Sequence, residues 1–210
     1  MEMKLDYLFC IVVVALLSTI LHELAHGAMA YALGDDTAKL SGRLSLNPLK
    51  HIDPMMSIVM PLIFAALGMP ILGGAKPVPI NTRNLKWREW GFALVALAGP
   101  LTNFVLAFIF FLLMAFVPAT GFWATLFEVG LFVNLGFMLF NLIPIPPLDG
   151  SRVLYAFAPD FVRDFMNSVE RYGIAIIYVL LCFCGSLLSN YMIWAENGIL
   201  NFFLWIVGAK

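Results

Sequence analysis

The pentapeptide His22-Glu23-Leu24-Ala25-His26 lies inside an apolar run, and no other feature constrains this chain as strongly. Across residues 7–33, Glu23 is the only acidic or basic side chain apart from the two histidines. Ionisable groups are costly at membrane depth and usually serve a function there. In a helix, positions i and i+4 share a face, so His22 and His26 can converge on one metal ion with Glu23 beside them. HExxH is a spacing that binds Zn²⁺ and sets a carboxylate next to it.

The rest of the chain explains why such a motif is buried in apolar sequence. Of 210 residues, 62% are hydrophobic and 12% charged, against about 25% charged in a soluble domain. This composition predicts an integral membrane protein whose solvent is the lipid bilayer. The formal net charge of −1 excludes a nucleic-acid binder of the usual basic kind. Cys10, Cys182 and Cys184 all fall in apolar runs and read as packing residues. Ala28-Met29-Ala30 resembles a signal-peptidase site, but an h-region would not carry His22, Glu23 and His26, so an uncleaved first transmembrane helix is expected.

A membrane-spanning helix needs about 20 mainly apolar residues. Residues 7–33, 91–117, 123–143 and 173–193 qualify. Two further runs are ambiguous: 54–73, interrupted by Pro61, Gly68 and Pro70, and 197–209, which is short. The fold class expected is therefore an all-α polytopic membrane protein with about five or six hydrophobic segments and HExxH on the first. Residues 1–210 form a single membrane domain, with a core over about 7–160 and C-terminal helices over about 171–209.

If residues 54–73 enter the membrane and return, the polar stretches 34–53 and 74–90 share one face. That face also collects Arg152, Arg163 and Arg171, and the positive-inside rule makes it cytoplasmic. A spanning 54–73 would split the basic residues between faces. The re-entrant reading is the one adopted, since irregular backbone at depth survives when protein or a wet cavity covers it.

A two-histidine zinc site needs a third protein ligand and leaves a fourth position for water. Asp149, in Asn141-Leu-Ile-Pro-Ile-Pro-Pro-Leu-Asp149-Gly150, is the candidate. Pro144, Pro146 and Pro147 end one helix and keep the chain extended, and a new helix can begin at Asp149. Alone, Asp149 reads as a helix cap; beside HExxH it reads as a ligand. Under the re-entrant topology the two motifs meet at one depth. Asn141 and Asn103 could each bond substrate backbone, stabilise an oxyanion or tie neighbouring helices. His51 is expected to be solvated or structural. Lys76-Pro77-Val78-Pro79-Ile80 reads either as an edge for a substrate strand or as a proline-rich connection. Ala98 and Gly99 predict close helix packing.

Several motifs together carry a resemblance. HELAHG in the first apolar helix, Ala98-Gly99-Pro100-Leu-Thr-Asn103 in a later one, and NLIPIPPLDG after the next resemble the site-2 protease family of intramembrane zinc metalloproteases. Gly42-Arg43-Leu-Ser-Leu-Asn47-Pro48, His51-Ile-Asp53-Pro54 and Gly74-Ala-Lys76-Pro77-Val-Pro79-Ile-Asn81 are similar to its compact prokaryotic branch, which lacks PDZ and CBS domains. The resemblance spans about residues 7–160. It implies one Zn²⁺ per chain held by His22, His26 and Asp149, with Glu23 as general base. It further implies hydrolysis of peptide bonds in or near the transmembrane segments of membrane-protein substrates, in a prokaryotic plasma membrane, with the site toward the cytoplasm.

The competing reading is a catalytically inactive scaffold or chaperone that keeps the fold. Glu23 argues against it, because a metal held only for structure would not need that carboxylate. A metal transporter would place ionisable residues along several helices, yet 91–127 and 173–195 contain none. Three histidines are also too few for a di-iron membrane oxidase.

Overall fold

The computed structural model of the chain describes residues 5–67 and 75–208. The described residues are helical, with no strand among them. Helix α1 (Leu5–Ala32) carries HELAH and stops at Gly34, whose φ of +103° suits the left-handed turn that ends many helices. A short helix α2 (Thr37–Leu40) and a 3₁₀ turn (Pro48–Lys50) lead to a π-helical turn (Pro54–Val59) that runs into α3 (Met60–Ala66).

Helix α4 (Glu89–Phe116) follows a sharp turn in which Trp87 and Arg88 have φ of 63° and 46°. The turn requires Gly91, since a Cβ there would lie 2.1 Å from the Lys86 carbonyl oxygen. Helix α4 ends where Val117, extended ahead of Pro118, leaves the helical region. Helix α5 (Phe122–Asn141) is followed by the proline-rich loop and then α6 (Asp149–Phe157), α7 (Asp160–Glu170), α8 (Gly173–Phe183) and α9 (Gly185–Ile206).

The long helices α1, α4 and α5 pack on one another, and α6 packs on α4. Cys10 and Val14 of α1 meet Val129 of α5. Ala107 and Phe111 of α4 and Leu131 and Leu135 of α5 enclose Phe203 of α9. The outer faces are apolar as well: Leu101, Val105 and Ile109 recur every four residues on α4 and are exposed. A helix apolar all round is one that faces lipid on the side its neighbours leave open.

Three helices, α1, α4 and α5, are long and apolar enough to cross a membrane, and the pair α7–α8 would make a fourth if its 88° bend were part of one span. One expectation needs correcting. The run 173–193 is not one helix: the chain breaks at Cys184, and its second half joins the 197–209 run to form α9. Hydropathy did not locate that break, because both sides are apolar enough to read as one run and Gly185 is the local signal. Of the five or six hydrophobic segments expected, three or four are, by helix length and composition, candidate spans among the described residues.

The expectation for 54–73 lies partly outside the described residues. Its ends are nonetheless informative. The Lys76 N–H donates to the His51 carbonyl at 2.8 Å, so the chain leaves and returns at one point. A single crossing would separate its ends by about 30 Å. Arg43, itself buried, reinforces the return by donating to the carbonyls of Lys76 (2.8 Å) and Pro77 (3.1 Å). Nearby, the wholly buried Asp35 accepts from the Asn81 N–H (2.6 Å), the Asn84 amide (3.1 Å) and the Thr37 hydroxyl (2.5 Å), fastening the exit of α1 to the approach to α4.

A candidate metal centre between three helices

His22 and His26 stand one turn apart on α1, and their Nε2 atoms approach to 2.9 Å. Asp149 reaches them from the first residue of α6, with Oδ2 3.1 Å from His22 Nε2 and 3.3 Å from His26 Nε2. All three side chains are buried. The loop after α5 delivers Asp149 by close packing: a Cβ on Gly150 would fall 2.2 Å from the Leu142 carbonyl oxygen. Only glycine lets the first turn of α6 rest on the last residues of that helix end.

The hydrogen-bond network determines the histidine tautomers. His26 Nδ1 lies 2.6 Å from the Val95 carbonyl oxygen, which can only accept. His26 Nδ1 therefore bears the proton. His22 Nδ1 lies 2.6 Å from Asn103 Oδ1, and Asn103 Nδ2 donates to Asn134 Oδ1 at 2.9 Å. With both Nδ1 atoms protonated, each neutral imidazole presents a bare Nε2 lone pair to the other and to the carboxylate.

Three lone-pair donors converging in a buried space fit a cation. Donors on a tetrahedral zinc with bonds of about 2.0–2.1 Å stand roughly 3.3 Å apart, and the observed separations run from 2.9 to 3.3 Å. The space beside them is kept open by Gly99 of α4, where a Cβ would sit 2.5 Å from His26 Nε2 and 2.6 Å from His22 Nε2. The Asp149 carboxylate is buried and faces the two bare Nε2 atoms at 3.1 and 3.3 Å, with no hydrogen between them. A buried anion kept ionised calls for a positive partner, either a proton on an imidazole or a metal ion.

Glu23 is half-buried and points around the helix from the histidines, where its Oε2 accepts the Val78 N–H at 2.9 Å. Pro77 and Pro79 carry no N–H, so Val78 supplies the one donor in that tripeptide. The stretch 75–80 thus has much of its backbone engaged, by His51, Arg43 and Glu23. Of its two expected roles, the connection that braces the site describes these contacts better than an open strand edge.

Asn103 is fully buried behind His22, with both polar atoms engaged. From there its side chain bonds His22 on one side and Asn134 on the other. The Asn141 amide donates to the Phe137 carbonyl of its own helix at 2.9 Å, at the point where the loop to Asp149 begins. His51 lies outside the cluster; its Nε2 bonds the Ser45 carbonyl at 2.7 Å. Sequence reasoning missed Arg152, whose guanidinium sits 3.6 Å from Asp149 Oδ1 and 3.7 Å from Glu170 Oε1. Its i+3 position from Asp149 was the available signal. Asn134, a lone amide in an apolar run, was also missed.

A buried His-His-Asp donor set, with two members on a helix long enough to cross a bilayer and the third at the start of α6, makes a candidate metal centre in a membrane protein. Comparison with known proteins narrows the class. Residues 117–184, which contain the Asp149 turn, match the profile of Peptidase family M50. The "Putative zinc metalloprotease YwhC" of Bacillus subtilis is 39% identical over 193 residues, covering 88% of this chain and 84% of that protein. The "Putative zinc metalloprotease Rip2" of Mycolicibacterium smegmatis is 36% identical over 170 residues, 79% of this chain and 64% of that protein. The "Putative zinc metalloprotease MJ0611" of Methanocaldococcus jannaschii is 52% identical over 62 residues, 29% of this chain and 31% of that protein. No solved structure matches. The chain belongs to peptidase family M50, the site-2 protease family.

Proposed function

We propose that this protein is a zinc metalloendopeptidase that cleaves peptide bonds in or beside transmembrane segments of other membrane proteins. The observation that carries the reading is the convergence of His22 Nε2, His26 Nε2 and Asp149 Oδ2, with both histidine tautomers set to leave Nε2 bare. His22, His26 and Asp149 hold the zinc. Zinc bound there would supply an acidified water and a Lewis acid for the scissile carbonyl. Glu23 takes a proton from the attacking water on its carboxylate and passes it to the leaving nitrogen. The Val78 N–H holds one Glu23 oxygen and leaves the other for that work. Arg152 anchors the far oxygen of Asp149, so that Oδ2 stays turned to the histidines.

The basic loops lie on the cytoplasmic side of a prokaryotic plasma membrane, and the site opens toward them. The closed His51–Lys76 junction supports this topology, since it returns residues 76–90 to the side that residues 34–51 left. The substrate is a single-pass membrane protein whose helix unwinds locally, because a helical backbone shields its own carbonyls.

The test is zinc per chain in detergent-purified protein, together with cleavage of tagged single-pass segments in vesicles. Wild type should carry close to one zinc and cleave. His22→Ala and Asp149→Ala should lose zinc and cleavage together. Wild type without zinc, or cleavage surviving in both variants, would overturn the assignment.

A further inference from the structure

We infer that Asn134, which bonds none of the three proposed metal ligands, selects the metal-binding nitrogen of His22 through Asn103. The inference rests on the metal reading above. Its starting point is a carbonyl. Asn134 lies 2.8 Å from the Gly130 oxygen, one turn back in α5, and that oxygen can only accept. The Asn134 atom facing it must therefore be the NH₂ group. Its Oδ1 then faces Asn103 at 2.9 Å and can only accept, so Asn103 must present its own NH₂. Asn103 Oδ1 is left facing His22 Nδ1 at 2.6 Å, and the imidazole proton must sit there.

Each link removes one ambiguity that amide and imidazole groups otherwise carry. The relay runs from α5 through α4 to α1, and its direction is set by a backbone group that cannot be reversed. Asn103 and Asn134 are both wholly buried, so no bulk water can substitute for a wrongly turned amide. His26 needs no such relay, because the Val95 carbonyl fixes it directly. Asn134 thus acts on His22 alone. It is a positioning residue, two hydrogen bonds removed from the ligand.

The experiment measures Zn²⁺ affinity of the full chain in detergent by chelator competition, in a cycle of variants. Outer partners of metal-ligating histidines typically account for roughly 10- to 100-fold in affinity. Asn134→Leu should weaken Zn²⁺ binding by about that factor, because Asn103 is then free to turn. Asn103→Asp alone should also weaken it, since the carboxylate faces Asn134 Oδ1. The double variant should recover most of the affinity, because a carboxylate accepts from His22 Nδ1 whichever way it turns. Recovery in the double variant is what a mere tether between α4 and α5 cannot produce. Where Asn134→Leu does not fold, Asn134→Ala takes its place in the cycle. ¹⁵N shifts of His22 in metal-free protein give a second readout, with Nε2–H appearing only when the relay is cut. Wild-type Zn²⁺ binding left unchanged by Asn134→Leu, or a double variant as weak as the singles, overturns the relay alone. A wild type that binds no Zn²⁺ overturns the metal reading and the relay with it.

Discussion

The backbone of Gly99 passes so close to His26 that a methyl group on it would lie 2.5 Å from Nε2, on the side where the metal donors converge. The same methyl would lie 2.6 Å from His22. Gly99→Ala should therefore fill the space a metal needs and push against both imidazoles while removing no ligand residue. Overpacking a buried site costs about 1–3 kcal/mol, a factor of roughly 10 to 100 in Zn²⁺ affinity. Metal content and cleavage should fall together, and a Gly99→Ala protein with wild-type zinc would contradict this account of the cradle.

Glu23→Gln should separate chemistry from binding. The glutamine oxygen can still accept the Val78 N–H, so the brace survives, but the amide cannot take up a proton. Zinc content should stay at the wild-type level while cleavage drops by about 10²- to 10⁴-fold, the usual contribution of a general base. Substantial residual turnover would remove Glu23 from that role.

Asp35 should make the fold acid-sensitive. Burial would raise its pKa, but hydrogen bonds from Thr37, Asn81 and Asn84 outweigh burial and lower it from the ordinary 3.8. A depressed folded-state value stabilises the protein above the unfolded-state pKa, and that stability is lost as pH falls through the folded value. The thermal midpoint in detergent should hold near pH 7 and fall below about pH 4. Asp35→Asn should lower stability at pH 7 by about 1–3 kcal/mol, the cost of mismatched buried donors, and should flatten the acid limb. An unchanged midpoint at pH 7 would show that this clasp is not needed.

Cysteines introduced at Lys50 and Arg83 should react with a membrane-impermeant maleimide from the same side of sealed vesicles. Both side chains are exposed, and they flank the segment whose ends meet at His51 and Lys76. Reaction from opposite sides would rule out the proposed topology.

Much of this arrangement was legible in the chain. The apolar runs predicted the ends of α1, α4 and α5 to within about two residues, because lipid-facing helices write their length as uninterrupted hydropathy. Helical periodicity put His22 and His26 on one face, and the prolines before Asp149 marked where a new helix could bring a third donor. Other features depend on contacts that no local pattern encodes. The break at Cys184 falls inside a run apolar enough to read as one helix. Asn103 was singled out, but only its neighbours on α1 and α5 reveal that it serves His22. Arg43 looked like one more positive loop charge until its guanidinium was found bonding the carbonyls of Lys76 and Pro77.

The bond between Lys76 and His51 also bears on how such a protein can change over time. It ties off the stretch between them like the neck of a purse, so the walls of the metal site do not depend on that stretch for their spacing. The described part of that stretch, the π-helical turn and α3, can therefore vary in sequence while the proposed ligands His22, His26 and Asp149 keep their places.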